Sequence, residues 1–298
     1  MFNKRFTVAA LLCGAALTFS GALARDWSTS WPSSLPSSWS NSRPNLRPNS
    51  SDWPNSIDWP TSIAGLGDSI TRAALADNTI SGLDYGQPEH SWSVGYNSGD
   101  GVDSHYERIR AQYPAISGHV YNLAQSGGKA DDLPGQAAAA VAKGADYVVI
   151  QMGANDVCAD STSRMTPTST FMGYYTNALN ILKSGLPDAT ILVTEVVRVR
   201  RVYDVGHGDF WCQLKWKTFQ WCNSVLLNGG TQRYQADARN IEYNNGLRAL
   251  SAAKGVAFDD DPFEWQFERG NLSEIDCFHP DLSGQRGLAN ITYSAGRF

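Results

Sequence analysis

The sequence predicts an α/β fold, a mainly parallel five-stranded sheet with helices on both faces. Three observations carry this expectation. From Ser62 onward, short apolar runs alternate with segments of helical pattern. The run YVVIQMG is nearly all apolar, as suits a strand covered on both faces. The stretch 62–298 is also about the size a single α/β domain takes. In such sheets the ligand crevice lies beyond the carboxyl ends of the strands, so any chemistry is expected just after each strand.

Two segments precede that domain in the chain of 298 residues. Residues 1–24 read as a secretory signal, with Lys4 and Arg5 as its charged start. Val8 to Leu17 form its apolar stretch, and Ala22-Leu23-Ala24 its small-residue cleavage site. That stretch is too short to span a bilayer as a stable helix. Residues 25–61 hold Trp27, Trp31, Trp39, Trp53 and Trp59 among serines and six prolines. Proline removes backbone donors and serine drives no core, so a disordered tether is expected. The alternative is a Trp-bearing surface anchor for glycan or lipid.

An exported protein is therefore expected, secreted or periplasmic. Removing Lys4 and Arg5 leaves 22 basic against 29 acidic residues, a formal net charge of −7. That sign argues against nucleic acid as a partner. Four cysteines remain after the leader: Cys158, Cys212, Cys222 and Cys277. An even number in an exported chain suggests two disulfides, with three connectivities open. No CxxC pair or histidine cluster points to zinc.

The domain's elements follow in order. The first strand, Ser62–Gly67, runs into Asp68-Ser69. Gly67 allows a sharp turn. A helix beginning near Ile70 would put Ser69 at its positive end, as a nucleophile or as a plain cap. A helix over Ser104–Tyr113 leads to the second strand, His119–Ala124, and the block NLAQSGG, where Gly127 and Gly128 can present a backbone N–H. A helix over Gly135–Lys143 leads to the third strand, Asp146–Met152, and the block GAND. There Asn155 offers an N–H donor to a developing oxyanion. A helix over Thr168–Lys183 precedes the fourth strand, Ala189–Val196, and one over Gln232–Ala253 precedes the fifth, Val256–Asp259. The last helix, Leu282–Ser294, follows Asp276-Cys-Phe-His279. A carboxylate three residues before a histidine can accept the ring Nδ1 proton and leave Nε2 as base.

Taken singly, each block is an ordinary turn. Together they supply a nucleophile, oxyanion donors, an acid and a base, each beside a strand end or, for the last block, in the loop before the final helix. GDSIT, NLAQSGG, GAND and DCFH resemble the four blocks of the SGNH, or GDSL, family of esterases and lipases. Four further features resemble its phospholipase B branch: Ser91-Trp-Ser-Val-Gly95, the run GGKADDLPGQ, the Cys158 after GANDV, and the DCFH form of the last block. The resemblance covers Ser62 to the C-terminus and is least clear over Val197–Gly230.

The resemblance implies a three-layer α/β/α sandwich, flavodoxin-like in kind, and ester hydrolysis with no cofactor and no metal. By motif, Ser69 resembles the nucleophile, His279 the base and Asp276 its orienting acid. The N–H groups of Ser69 and Gly127 and the side chain of Asn155 resemble an oxyanion hole, and Asp68 and Asp156 are expected to hold their loops. The expected function is a serine esterase acting, as a monomer, on lipid esters of phospholipase or lysophospholipase type. The alternatives are a carbohydrate deacetylase of the same fold and a non-enzymatic surface binder.

After the fourth strand comes VVRVRRVYDVGHGDFWCQLKWKTFQWC. Its place puts it near the rim of the crevice. Trp211 and Lys215 are its expected substrate contacts, rings for an acyl chain or lipid surface and cations for a phosphate. The alternative is a satellite core stapled by disulfides. Pairing Cys212 with Cys222 would close a short loop, provided the two do not share one straight helix. Pairing Cys158 with Cys277 would tie the oxyanion loop to the base loop, and this connectivity is the expected one. His90, His105, His119 and His207 lack acid–base partners at any telling spacing and are read as structural or solvent-facing, and the acidic run 258–268 as a solvated loop rather than a calcium site.

Overall fold

All five expected strands form and lie parallel, in the order β2-β1-β3-β4-β5. A computed structural model describes residues 58–80 and 84–298. The signal and nearly all of the expected tether lie outside the described residues. The strands are β1 (Ile63–Gly67), β2 (Val120–Asn122), β3 (Tyr147–Gln151), β4 (Thr190–Thr194) and β5 (Ala257–Asp259). Each is one to three residues shorter than its expected run, because the ladder stops where the chain turns away. The helices are α1 (His105–Gln112), α2 (Leu133–Lys143), α3 (Ala154–Val157), α4 (Thr168–Gly185), α5 (Arg200–Gly206), α6 (Phe210–Phe219), α7 (Asn223–Leu226), α8 (Gly230–Lys254), α9 (Asp261–Glu264) and α10 (Leu282–Thr292).

Val148, Val149 and Ile150 are wholly buried, as a strand between two helical layers must be. Each such side chain contributes about 1.5–3 kcal/mol of burial. On one face α2, α4 and α8 pack in that order. The right-handed crossover from β1 to β2 puts α1 on the other face, and α10 lies against α1 there. There buried His105 sits between the Tyr147 hydroxyl at 3.1 Å and Thr292 Oγ1 at 2.8 Å. It is structural, as expected.

The register aligns Gly67 with Gln151 and Thr194 with Asp259, so the carboxyl ends of the central strands form one rim. Among the described residues, no helix is long and apolar enough to cross a membrane.

Four expectations need correction. No regular helix begins at Ile70. Ala73 and Leu75 adopt left-handed φ of 55° and 59°, which turns the segment into successive tight turns. Residues 58–61, the expected end of the tether, pack on the domain: Trp59 stacks on Phe298 at 6.2 Å, and Thr61 N–H donates to Asp146 Oδ2 at 2.9 Å. His90 does have an acid partner, with its Nδ1 2.6 Å from Asp100 Oδ2.

The disulfide pairing is also different. The bonds are Cys158–Cys222 and Cys212–Cys277. Cys212 lies in α6, which runs on to Phe219, so most of the ten-residue interval to Cys222 is one straight helix. That rise holds the two sulfurs apart.

Candidate functional site

Ser69 emerges directly after β1. A Cβ at Gly67 would lie 2.3 Å from the Gln151 carbonyl oxygen, so no larger residue fits where the chain leaves the sheet. Asp68 Oδ1 accepts the Ile70 N–H at 2.9 Å, and Arg72 N–H donates back to Asp68 O at 2.9 Å. Gln285 of α10 donates to Ile70 O at 3.0 Å and Asn122 to Thr71 O at 2.9 Å, pinning the turn from two sides. A hydroxyl on such a turn is held in place rather than free to wander.

His279 arrives on a loop that closes on itself. Ser273 N–H donates to His279 O at 2.8 Å and Cys277 N–H to Ser273 O at 2.8 Å, with Leu272 bridged to Pro280. Inside the loop, Asp276 Oδ1 accepts the N–H groups of Phe278 at 2.8 Å and His279 at 3.1 Å. Its other oxygen lies 2.5 Å from His279 Nδ1. A carboxylate only accepts, so Nδ1 carries the proton and Nε2 is the acceptor. That Nε2 lies 2.8 Å from Ser69 Oγ. Asp276 and His279 are 1% and 8% exposed, so the hydrogen bond between them is shielded from water.

Two further loops close around Ser69. Gly127 is exposed and left-handed, with φ 77°, and a Cβ there would meet nothing within 4 Å. Gln125 N–H donates to Gly67 O at 3.1 Å, which brings this loop to β1. Asn155, at the start of α3, donates from Nδ2 to Gly128 O at 2.9 Å, which leaves its second amide hydrogen for another acceptor. Asp156 Oδ2 accepts Ala130 N–H at 3.0 Å and so ties the Asn155 loop to the Gly127 loop. Burial pushes the carboxyls of Asp68 and Asp156 up to about 6 each. Both face inward and hold loops, as expected of them.

Beside these groups lies an apolar recess, partly open to solvent. Ile70 and Ala154, the neighbours of Ser69 and Asn155, line it together with Phe278, Val197, Val202 and Phe267. It was not legible in the sequence, since its walls come from widely separated segments.

The two expected substrate contacts of the insertion after β4 both lie on α6. Trp211 is 63% exposed on α6, beside Phe210, and Lys215 Nζ donates to Glu274 O. The ring of this insertion that packs on His279 is that of Trp221, its centroid 5.7 Å away. The arginines are engaged within the protein: Arg198 and Arg200 both pair with Asp237, and Arg201 donates to Phe267 O. Among the described residues, Asp259, Asp260 and Asp261 form the only cluster with metal-ligand spacing, and it belongs to the acidic run after β5.

The model of the GDSL-like lipase/acylhydrolase family matches residues 66–286. Solved structures with a similar fold include a Parabacteroides merdae protein described as GDSL-like, at 20% identity and a TM-score of 0.52, covering 79% of this chain and 95% of that one. A lipase from a goat rumen metagenome matches at 13% identity and a TM-score of 0.48, covering 79% and 97%. A family 3 carbohydrate esterase from Clostridium thermocellum matches at 14% and 0.46, covering 78% and 93%. At such identities the likeness is one of fold. A search of curated proteins found no match.

Proposed function

Since the chain belongs to the GDSL-like lipase/acylhydrolase family and is an ester hydrolase, we propose that it cleaves lipid esters through an acyl-enzyme on Ser69. His279 takes the Ser69 proton as Oγ attacks the ester carbonyl carbon. The resulting oxyanion is met by the N–H groups of Ser69 and Gly127 and by Nδ2 of Asn155. Asp276 holds the imidazole in the tautomer that can accept, and stabilises the imidazolium that forms. That imidazolium then gives its proton to the departing alkoxide. Water, deprotonated in turn by His279, attacks the acyl carbon, the acid leaves and Ser69 regains its hydrogen. The observation that carries this reading is His279 bridging Asp276 at 2.5 Å and Ser69 at 2.8 Å.

The apolar recess supports an acyl chain as the part of the substrate held beside the nucleophile. A phospholipid or lysophospholipid is the proposed substrate, in keeping with the phospholipase B resemblance. The exposed Phe210, Trp211 and Leu214 of α6 are the proposed peripheral contact with a lipid surface, with Lys215 beside them. Because Arg198 and Arg200 already pair with Asp237, the acyl chain rather than a phosphate is the proposed basis of recognition. Export is proposed from the signal-like residues 1–24 and the two disulfides.

The test compares fatty acid released from phospholipid vesicles with acetate released from acetylated xylan. Preference for the vesicles is the expected result. Preference for the xylan would replace the lipid reading with carbohydrate deacetylation. Trp211→Ala with Lys215→Ala should lower activity on vesicles more than on a soluble short-chain ester, and equal losses would remove the lipid contact from the account.

A further inference from the structure

Trp221 sits where the two halves of the site are joined. Its ring meets that of His279 at 77°, and Phe278 lies 6.5 Å away. Phe219 stacks on it at 4.7 Å. The residues on either side, Gln220 and Cys222, have left-handed φ of 55° and 57°, so the indole rides on a fixed bend rather than on a helix face. Cys222 is bonded to Cys158 with Cα atoms 4.1 Å apart. Around that bond, Ser224 N–H donates to Ala159 O at 2.8 Å and Ser224 Oγ to Val157 O at 2.9 Å. The segment after Trp221 is thus stitched to the segment that leaves Asn155. At the other end of α6, Cys212 is bonded to Cys277 of the base loop, and Trp216 Nε1–H donates to Cys277 O at 3.1 Å.

We propose that Trp221 is a positioning residue for His279, and that the Cys158–Cys222 disulfide holds the indole in place. The proposal rests on the esterase reading, because the orientation of His279 sets a rate only if His279 is the base. An imidazole that serves two partners must keep both ring nitrogens in line. The Asp276 hydrogen bond fixes Nδ1, yet the ring can still tip about that bond and carry Nε2 away from Ser69. Phe278, 5.0 Å away, and Trp221 pack against the ring and oppose that tipping. The two disulfides fasten one helix to the base loop and its trailing turn to the oxyanion loop, so base and oxyanion donor keep a common frame.

The experiment measures kcat and KM on a soluble short-chain ester, and the rate at which a fluorophosphonate labels the serine, for Trp221→Ala and Trp221→Phe. With alanine, kcat and the labelling rate should fall together by about tenfold to a hundredfold, as a displacement of about 1 Å would do. KM should stay within about twofold of wild type, since positioning acts on the reacting groups rather than on substrate binding. Phenylalanine should recover most of the loss. Unchanged labelling of folded Trp221→Ala, or a rise in KM alone, would overturn the proposal. If Trp221→Ala does not fold, the double variant Cys158→Ala with Cys222→Ala keeps the indole but frees its turn. It should show the same paired loss, and unchanged labelling there would overturn the proposal too. Failure of wild type to label at all would instead overturn the esterase reading.

Discussion

His279 Nε2 lies 2.8 Å from Ser69 Oγ although the two residues are 210 apart in the chain. The sheet makes this meeting possible. With β1 and β3 central and their carboxyl ends aligned, the turn after β1 and the loop after β3 share one rim. The segment before α10 then folds over that rim, held by its own hydrogen bonds and by Cys212–Cys277.

Replacing the acid should abolish most turnover without unfolding the loop. In Asp276→Asn the amide oxygen can still accept the N–H groups of Phe278 and His279, which Asp276 Oδ1 accepts now. Its NH₂ would face His279 Nδ1 and force the other tautomer, which puts a proton on Nε2. A loss in kcat of about 10⁴-fold is expected. Steady-state kinetics on the folded variant check this, and a loss below tenfold would remove Asp276 from the mechanism.

Asn155→Ala should cost about 3 kcal/mol of transition-state stabilisation, or about a hundredfold or more in kcat, with KM little changed. Because Asn155 also donates to Gly128 O, thermal unfolding should be recorded in parallel. A variant that loses stability but keeps kcat would show that the amide only braces the loop.

Two buried carboxyls give stability a pH dependence. Asp68 and Asp156 rise from the ordinary 3.8 to about 6 in the fold, chiefly because burial penalises their charge. Such groups bind protons more tightly when folded. Their contribution is fully present below about pH 4 and is lost as pH rises through about 6. Relative to wild type, Asp156→Asn should therefore gain stability between pH 4 and 6 and then level off. His105 has the opposite sign, since burial lowers it from 6.5 to about 3. Its contribution is present above about 6.5 and fades on acidification, so His105→Gln should gain relative to wild type as pH falls from 6.5 to 3. Urea unfolding at several pH values reads both, and differences that do not vary with pH would contradict them.

Peptide mapping of the oxidised protein should recover Cys158 linked to Cys222 and Cys212 linked to Cys277. Each bond closes a loop of more than sixty residues, with sequence separations of 64 and 65. Removing one should cost about 2–5 kcal/mol. A peptide joining Cys212 to Cys222 would contradict the structure.

The sheet was legible because parallel strands buried on both faces read as unbroken apolar runs, of which YVVIQ is the plainest. Ser69, Gly127 and Asn155 were legible for a related reason: in this topology, strand ends are where side chains converge, while the Asp276–His279 pair was legible from its own three-residue spacing. The helices α5 to α7 were not. Arg198, Arg200 and Arg201 look like free surface cations until the fold supplies Asp237 and the Phe267 carbonyl. His90 and Asp100 stand ten apart, and only the loop between them brings them together. Disulfide pairing fails for the same cause, because spacing along the chain says nothing of where α6 points. Trp221 could be counted among the aromatic residues of its segment, but its contact with His279 depends on two left-handed residues that the sequence does not mark with glycine.

The most direct measurement is intact-protein and peptide mass spectrometry after treatment with a fluorophosphonate. The account predicts one covalent adduct, located on Ser69, formed quickly by wild type and absent from Ser69→Ala. An adduct that persists in Ser69→Ala, or no adduct on the folded wild-type protein, would contradict it.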